Sequence, residues 1–160
     1  MEVERVTVPI PIISTDVWDN RWLQLATQIG EWSKDRRHRV GCVIVGSANQ
    51  VLSTGYNGFP RGVDDDIDER HERPAKYDWT EHAERNAVYN AARYGVRIEG
   101  SSMYSSLFPC ISCSRAVIQS GITAVVTRSP DLSHHRWGDE FLFSQSLLGE
   151  AGVHVRLVDE

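Results

Sequence analysis

Trp18, Trp22, Leu25, Ile29 and Trp32 step along the chain by four, three, four and three residues, the spacing of one face of an α-helix. The pattern predicts an amphipathic first helix whose tryptophan stripe packs into the core. The basic run Lys34-Asp35-Arg36-Arg37-His38-Arg39 is expected to end it, because cations favour the negative pole of a helix. Residues 40–45 are apolar without a break, at strand length, and Val51–Tyr56 follows across Ser47-Ala48-Asn49-Gln50, so the two form a hairpin. Residues 57–79 are rich in Gly, Pro, Asp and Arg and read as an irregular insertion, of a length that marks a functional or disordered loop. Helical signals resume at Thr80 as N-cap and run through Ala83, Ala87 and Ala91 to Gly95.

Beyond that point the pattern alternates. A strand is predicted at 101–106, a helix from Pro109 to the stop at Gly121, a strand at 123–127, a loop at 129–137 and a helix at 139–151. In the last strand Val153, Val155 and Leu157 alternate with His154 and Arg156, which leaves one face exposed. A hairpin followed by strand–helix alternation predicts an α/β fold, a three-layer α/β/α sandwich around a mixed five-stranded sheet. Without repeats or linkers, residues 1–160 read as one domain, with 1–13 as an extended arm.

Composition narrows the partners. Apolar residues make up 41% and charged residues 24% of 160 residues, with a formal net charge of −5. An acidic chain without a basic, aromatic-interleaved stripe is a poor partner for nucleic acid, whereas a single nucleotide needs only a local pocket. No stretch suits a bilayer span, and Met1-Glu2-Val3-Glu4-Arg5 lacks the apolar run of a signal peptide, so no membrane role and a cytoplasmic location are expected. Cys42 sits mid-run in an apolar strand and reads as a buried free thiol, while Cys110 and Cys113 form a C-x-x-C that points to metal or redox chemistry.

Two short segments carry chemistry, His82-Ala83-Glu84 and Pro109-Cys110-Ile111-Ser112-Cys113, each at a predicted helix start. Alone, the first is compatible with simple capping and the second with a redox pair or half of a structural zinc knot. Together they offer one imidazole and two thiolates, a borderline-soft donor set that suits Zn²⁺. Cys110 and Cys113 share a face of the first helical turn, where the positive helix end favours thiolate. Three protein ligands leave the fourth position to water, as in catalytic zinc sites, and zinc brings such a water's pKa to about 7. Glu84, beside the metal, is placed to shuttle protons as general acid and base. The combination H-x-E…P-C-x-x-C is the signature of zinc nucleobase deaminases.

On these segments, together with Gly55-Tyr56-Asn57-Gly58-Phe59-Pro60-Arg61-Gly62-Val63-Asp64-Asp65, Lys76-Tyr77 and Val117-Ile118-Gln119-Ser120-Gly121-Ile122, the chain resembles the deoxycytidylate (dCMP) deaminases of the cytidine deaminase-like superfamily, over roughly residues 15–158. The resemblance implies hydrolytic deamination of dCMP to dUMP, with His82, Cys110 and Cys113 binding zinc and Glu84 as acid and base. It implies that Asn57 and Asn86 contact sugar or phosphate; their other readings are an Asn-Gly turn and local backbone bonding. Gly58, Gly62 and Asp65 match positions that bind a triphosphate effector through Mg²⁺ in regulated members, or belong to a solvated acidic run. A homo-oligomer, dimer to hexamer, is likewise implied.

One segment departs from the family. Where members carry an aspartate–lysine–tyrosine stretch, this chain has Ser129-Pro130-Asp131-Leu132-Ser133-His134-His135-Arg136-Trp137. Loops at the carboxyl ends of strands build the sites of such sheets. His134, His135 and Arg136 are therefore expected near the substrate phosphate, with Trp137 stacking or closing the pocket. Rival readings are a deaminase of cytosine, guanine or a modified nucleotide, a transfer-RNA adenosine deaminase, and a non-catalytic module whose zinc has a fourth protein ligand.

Overall fold

A computed structural model of the chain describes residues 10–135 and 137–159. In chain order the elements are β1 (Ile12–Ile13), α1 (Val17–Gly30), β2 (Gly41–Val45), β3 (Val51–Tyr56), α2 (Lys76–Trp79), α3 (Ala83–Tyr94), β4 (Ser102–Ser105), α4 (Ile111–Gln119), β5 (Ala124–Thr127), α5 (Gly138–Glu150) and β6 (His154–Leu157). The sheet order is β1-β6-β5-β4-β2-β3. Strands β4, β5, β6 and β1 run parallel, while β2 pairs antiparallel with both β3 and β4. The mixed three-layer class is as expected. The sheet has six strands rather than five, because Ile12 and Ile13 of the arm pair with Arg156 and Leu157 of β6. Two residues are too few to show a periodicity. Residues 1–9 of the expected arm lie outside the described residues.

Alternation along the strands divides the core between two faces. Val43, Val45, Tyr104 and Val126 meet Leu23, Ala26 and Ile29 of α1. Cys42, Ile44, Met103 and Val125 meet Ala83, Ala87, Val117, Phe141 and Leu148 of α3, α4 and α5. The predicted stripe packs inward only in part: Ile29 is buried and Trp22 and Leu25 lie against the core, but Trp18 is 40% exposed and Trp32, beyond the helix end, 63%. The helix turns its small residues inward because β2 lies so close. A Cβ at Gly41 would stand 1.8 Å from the Ala26 carbonyl oxygen, an approach that tryptophans on that face would block.

The same face carries a buried charge. Asp19 is 2% exposed and accepts from Arg156 Nε and Nη2, both at 2.8 Å, from Tyr104 Oη at 3.0 Å and from Ser14 Oγ at 2.6 Å. One carboxylate thus joins the arm, α1, β4 and β6.

The basic run does not end a helix. With α1 stopping at Gly30, residues 34–37 form a loop that pairs with the acidic side of the insertion: Lys34 with Asp65 at 2.8 Å, Arg36 with Asp68, and Arg37 with Glu72 at 3.5 Å. Exposed pairs of this kind add little to stability, because water and salt screen them. Lys76 Nζ meets Asp35 Oδ2 at 2.6 Å with both side chains buried. The insertion is correspondingly ordered, with a 3₁₀ turn at Asp68–His71 before α2. Helix α3 begins at Ala83 with His82 as N-cap rather than at Thr80, since Glu81 still bridges Gly58 in extended form.

Candidate metal centre and active site

Gly55 sets how closely α3 lies on β3. A Cβ there would meet the Ala83 carbonyl oxygen and the Ala87 amide nitrogen, each at 2.4 Å. The first turn of α3, with His82 and Glu84, is thereby held against the sheet. From the other side, β4 ends at Ser105 and a short turn delivers Cys110 as N-cap of α4, with Cys113 one turn further. Phe108, 2% exposed and packed edge-on against Phe141, anchors that turn.

The two motifs meet. His82 Nδ1 lies 3.4 Å from Cys110 Sγ and 3.5 Å from Cys113 Sγ, and the three donor atoms lie within 4.8 Å of one another. A tetrahedral zinc with bonds of about 2.3 Å to sulfur and about 2.05 Å to nitrogen places S and N about 3.5 Å apart. The residues therefore fit zinc. Among the described residues the group includes neither Cys42 nor Glu84, so its donors number three, as in a catalytic zinc site rather than a closed structural one.

Glu84 is 4% exposed. Its Oε2 lies 3.4 Å from Cys113 Sγ and its Oε1 accepts from Ser105 Oγ at 3.2 Å. Burial pushes the Glu84 carboxyl above its ordinary range, against the pull of the His82 imidazole. The hydrogen bond from Cys113 holds the Cys110 thiol down at about 3, against desolvation and with help from His82, while its bond to Cys110 and burial push Cys113 up. The pair thus gives up one proton readily, and an N-terminal helix end favours the resulting thiolate. The His82 imidazole is raised by its contact with Cys110.

His82, Glu84 and Cys110 open onto a cavity of about 580 Å³, a size suited to a small ligand. Its walls come from the 35–40 segment, the insertion around Arg73 and Lys76, the 106–108 turn, and residues 128–135 and 137 after β5.

Residues 16–129 match the model of the cytidine and deoxycytidylate deaminase zinc-binding region. The chain belongs to this family. It is 40% identical over 141 residues to an uncharacterised deaminase of the luxG 3′ region of Aliivibrio fischeri, covering 86% of this chain and 91% of that protein. It is 35% identical over 144 residues to deoxycytidylate deaminase of Homo sapiens, covering 87% and 78%. Its fold is similar to that of the dCMP deaminase from cyanophage S-TIM5 in complex with dCMP and dUMP, with TM-score 0.70 and 25% identity, covering 86% of this chain and 95% of that one.

Within this deaminase the expected site residues divide by position. His134, His135 and Trp137 line the cavity with the metal-centre residues, and the two histidine rings stack at 4.9 Å. Arg136 lies outside the described residues. Asn57 lines the cavity too, yet its side chain is engaged: Oδ1 accepts from Val40 N at 2.8 Å, and Nδ2 donates to His38 O at 2.8 Å and towards Asp35 Oδ2 at 3.4 Å. Asn86 is not among the lining residues and donates to the Tyr56 carbonyl at 2.8 Å, tying α3 to β3. Gly58 and Asp65 border a separate depression of about 120 Å³, without Gly62, and the Asp65 carboxylate is paired with Lys34.

Residue-by-residue reading missed Asp35, Arg73, Ser105 and Arg128 at or beside the cavity, and met Lys76 only within the family resemblance. Asp35 was hidden inside a basic run, and a lone acid among cations was the available signal.

Proposed function

We propose that the protein hydrolyses dCMP to dUMP and ammonia at the centre formed by His82, Cys110, Cys113 and Glu84. The observation that carries this reading is the buried Glu84 carboxylate, 3.4 Å from a thiol of the three-residue donor group, at the floor of a nucleotide-sized cavity in a chain of the deaminase family. Zinc held there supplies the Lewis acidity that makes a water molecule nucleophilic near neutral pH.

The chain's own residues do the rest. Glu84 takes a proton from the attacking water and passes it to N3 of the ring; it then takes the remaining proton of the hydroxyl added at C4 and gives it to the amine, so that ammonia leaves as the C4 carbonyl forms. Its raised pKa suits both roles. Ser105 orients the carboxylate through Oε1. His134, His135 and Trp137 wall the cavity and contact the nucleotide, with Arg136 as a further phosphate partner. Loss of catalytic efficiency on dCMP but not on deoxycytidine in Arg136→Ala checks that last role.

The reading extends to regulation and assembly. A triphosphate with Mg²⁺ would bind beside Gly58, Gly62 and Asp65, where Asp65 exchanges Lys34 for the cation; superimposable rate curves with and without a triphosphate overturn this. Exposed Trp32, Tyr89 and Phe143 favour self-association, which sedimentation tests. The free thiols suit a reducing cytoplasm, and no helix among the described residues is long and apolar enough to cross a membrane.

The deciding experiment is ammonia release across dCMP, CMP, dCTP, deoxycytidine, cytosine, guanine and adenosine, with zinc analysis on the same sample. The expected result is the highest kcat/KM on dCMP. A higher value on cytosine, guanine or adenosine overturns the substrate assignment.

A further inference from the structure

We propose that Lys76, held by Asp35, is a specificity-determining cation that takes a phosphate oxygen of the nucleotide. This rests on the deaminase reading of the cavity. Lys76 is buried in the cavity wall, with its side chain 11% exposed, and its Nζ stands 2.6 Å from Asp35 Oδ2. Asp35 is the only partner its side chain has among the described residues. An ammonium carries more donors than one carboxylate oxygen uses, and a buried cation with unused donors is costly unless something else accepts from them.

Asp35 itself has nothing left to offer a ligand. Its Oδ1 accepts from the Arg37 and His38 amides at 2.9 and 3.0 Å, and its Oδ2 serves Lys76 and Asn57. Ser33 bridges the same cluster, accepting from the Asp35 amide at 3.1 Å and donating to the Asn57 carbonyl at 2.7 Å. Asn57 is equally committed to backbone partners. Lys76 thus keeps donors to spare on this wall, and the network around Asp35 is what fixes its position. Asp35 is a positioning residue.

Charge selects the ligand atom. The chain carries a net charge of −5, yet Arg73, Lys76 and Arg128 stand on the cavity wall against Asp35 and Asp131, with Glu84 at the reacting end. Three cations against three carboxylates leave this pocket balanced in charge within an acidic protein, and an ammonium with donors to spare there suits a phosphate oxygen. The insertion brings this cation to the cavity, and its pairing with the 34–37 loop holds it there.

The test compares wild type, Lys76→Met and the double variant Asp35→Asn/Lys76→Met. The double variant removes both charges together, so that no carboxylate is left buried without a partner. Two readouts are taken: kcat and KM on dCMP and deoxycytidine, and calorimetric affinity for dUMP against deoxyuridine. The expected result is a fall of about 10- to 100-fold in the dCMP-to-deoxycytidine ratio of kcat/KM, carried mainly by KM, and a similar loss of preference for dUMP. Lys76→Arg restores part of both. A purely structural Lys76 lowers nucleotide and nucleoside together and leaves the ratio unchanged, which overturns the proposal. If wild type releases ammonia from no substrate, the deaminase reading fails, and the dUMP-against-deoxyuridine comparison still decides the phosphate seat. Equal affinity of wild type for the two overturns it.

Discussion

The Ser105 hydroxyl donates to Glu84 Oε1 across 3.2 Å and so ties the buried carboxylate on α3 to the strand that leads into the cysteine motif on α4. Both halves of the centre are referenced to β4 by this bond. A hydrogen bond to a charged group is worth about 1.5–3 kcal/mol, and one of this length belongs at the low end. Ser105→Ala is therefore expected to keep its zinc and lose roughly 10-fold in kcat. An unchanged kcat would show that packing alone orients Glu84.

Gly55 bears on the same centre through the backbone. Since any Cβ there meets α3 at 2.4 Å, Gly55→Ala must push the helix outward. Overpacking of this kind costs about 1–3 kcal/mol, and it moves His82 relative to the two sulfurs. Denaturant unfolding together with competition for zinc against a chelator should register both losses. A destabilised protein with unaltered zinc affinity would mean that the ligand cluster does not depend on this contact.

The thiols make metal retention a question of ligand identity. Replacing Cys110 or Cys113 by Ser removes a soft donor from a group of three, and the zinc content after dialysis against chelator is expected to drop to background, whereas Cys42→Ser, outside the group, retains it. Loss of metal from Cys42→Ser in a folded protein would contradict the three-ligand centre.

Acid stability should report on Asp19. Burial alone would raise its carboxyl, but Arg156, Ser14 and Tyr104 together hold it below its ordinary range. Such a depressed group stabilises the fold above the unfolded carboxylate pKa and loses that contribution as pH falls through the folded value. Asp19→Asn is expected to cost about 1–3 kcal/mol at neutral pH and to flatten the decline between about pH 5 and pH 3. Parallel stability curves for the two proteins, measured in denaturant, would remove Asp19 from the acid response.

How far the chain was readable depended on whether a feature was local. The apolar run through Cys42 and Ile44 and the alternation around Val155 each announce a strand from within. The two chemical motifs are legible because each is compact, and only the fold was needed to bring His82 within 3.5 Å of both sulfurs. Features that depend on distant residues were hidden. The periodicity of α1 marks an apolar stripe, but the closeness of Gly41 decides that Leu23 and Ala26 face inward instead of Trp18. The Asp19–Arg156 pair spans 137 positions. The basic run and the acidic insertion each look solvated alone, and they become a loop-to-loop clasp only when residues 34–37 meet residues 65–72. Asn57 was expected to reach a ligand, but its amide is taken up by the backbone of the 38–40 turn.

The most direct test is a side-by-side assay of wild type and Glu84→Gln for dUMP formation from dCMP, with zinc content and thermal midpoint measured on the same preparations. General acid–base catalysis contributes about 10²- to 10⁴-fold. The variant should match wild type in metal and midpoint while kcat falls by at least that range. A Glu84→Gln protein that deaminates dCMP at the wild-type rate, or a zinc-replete wild type that forms no dUMP, would contradict the assignment of this centre.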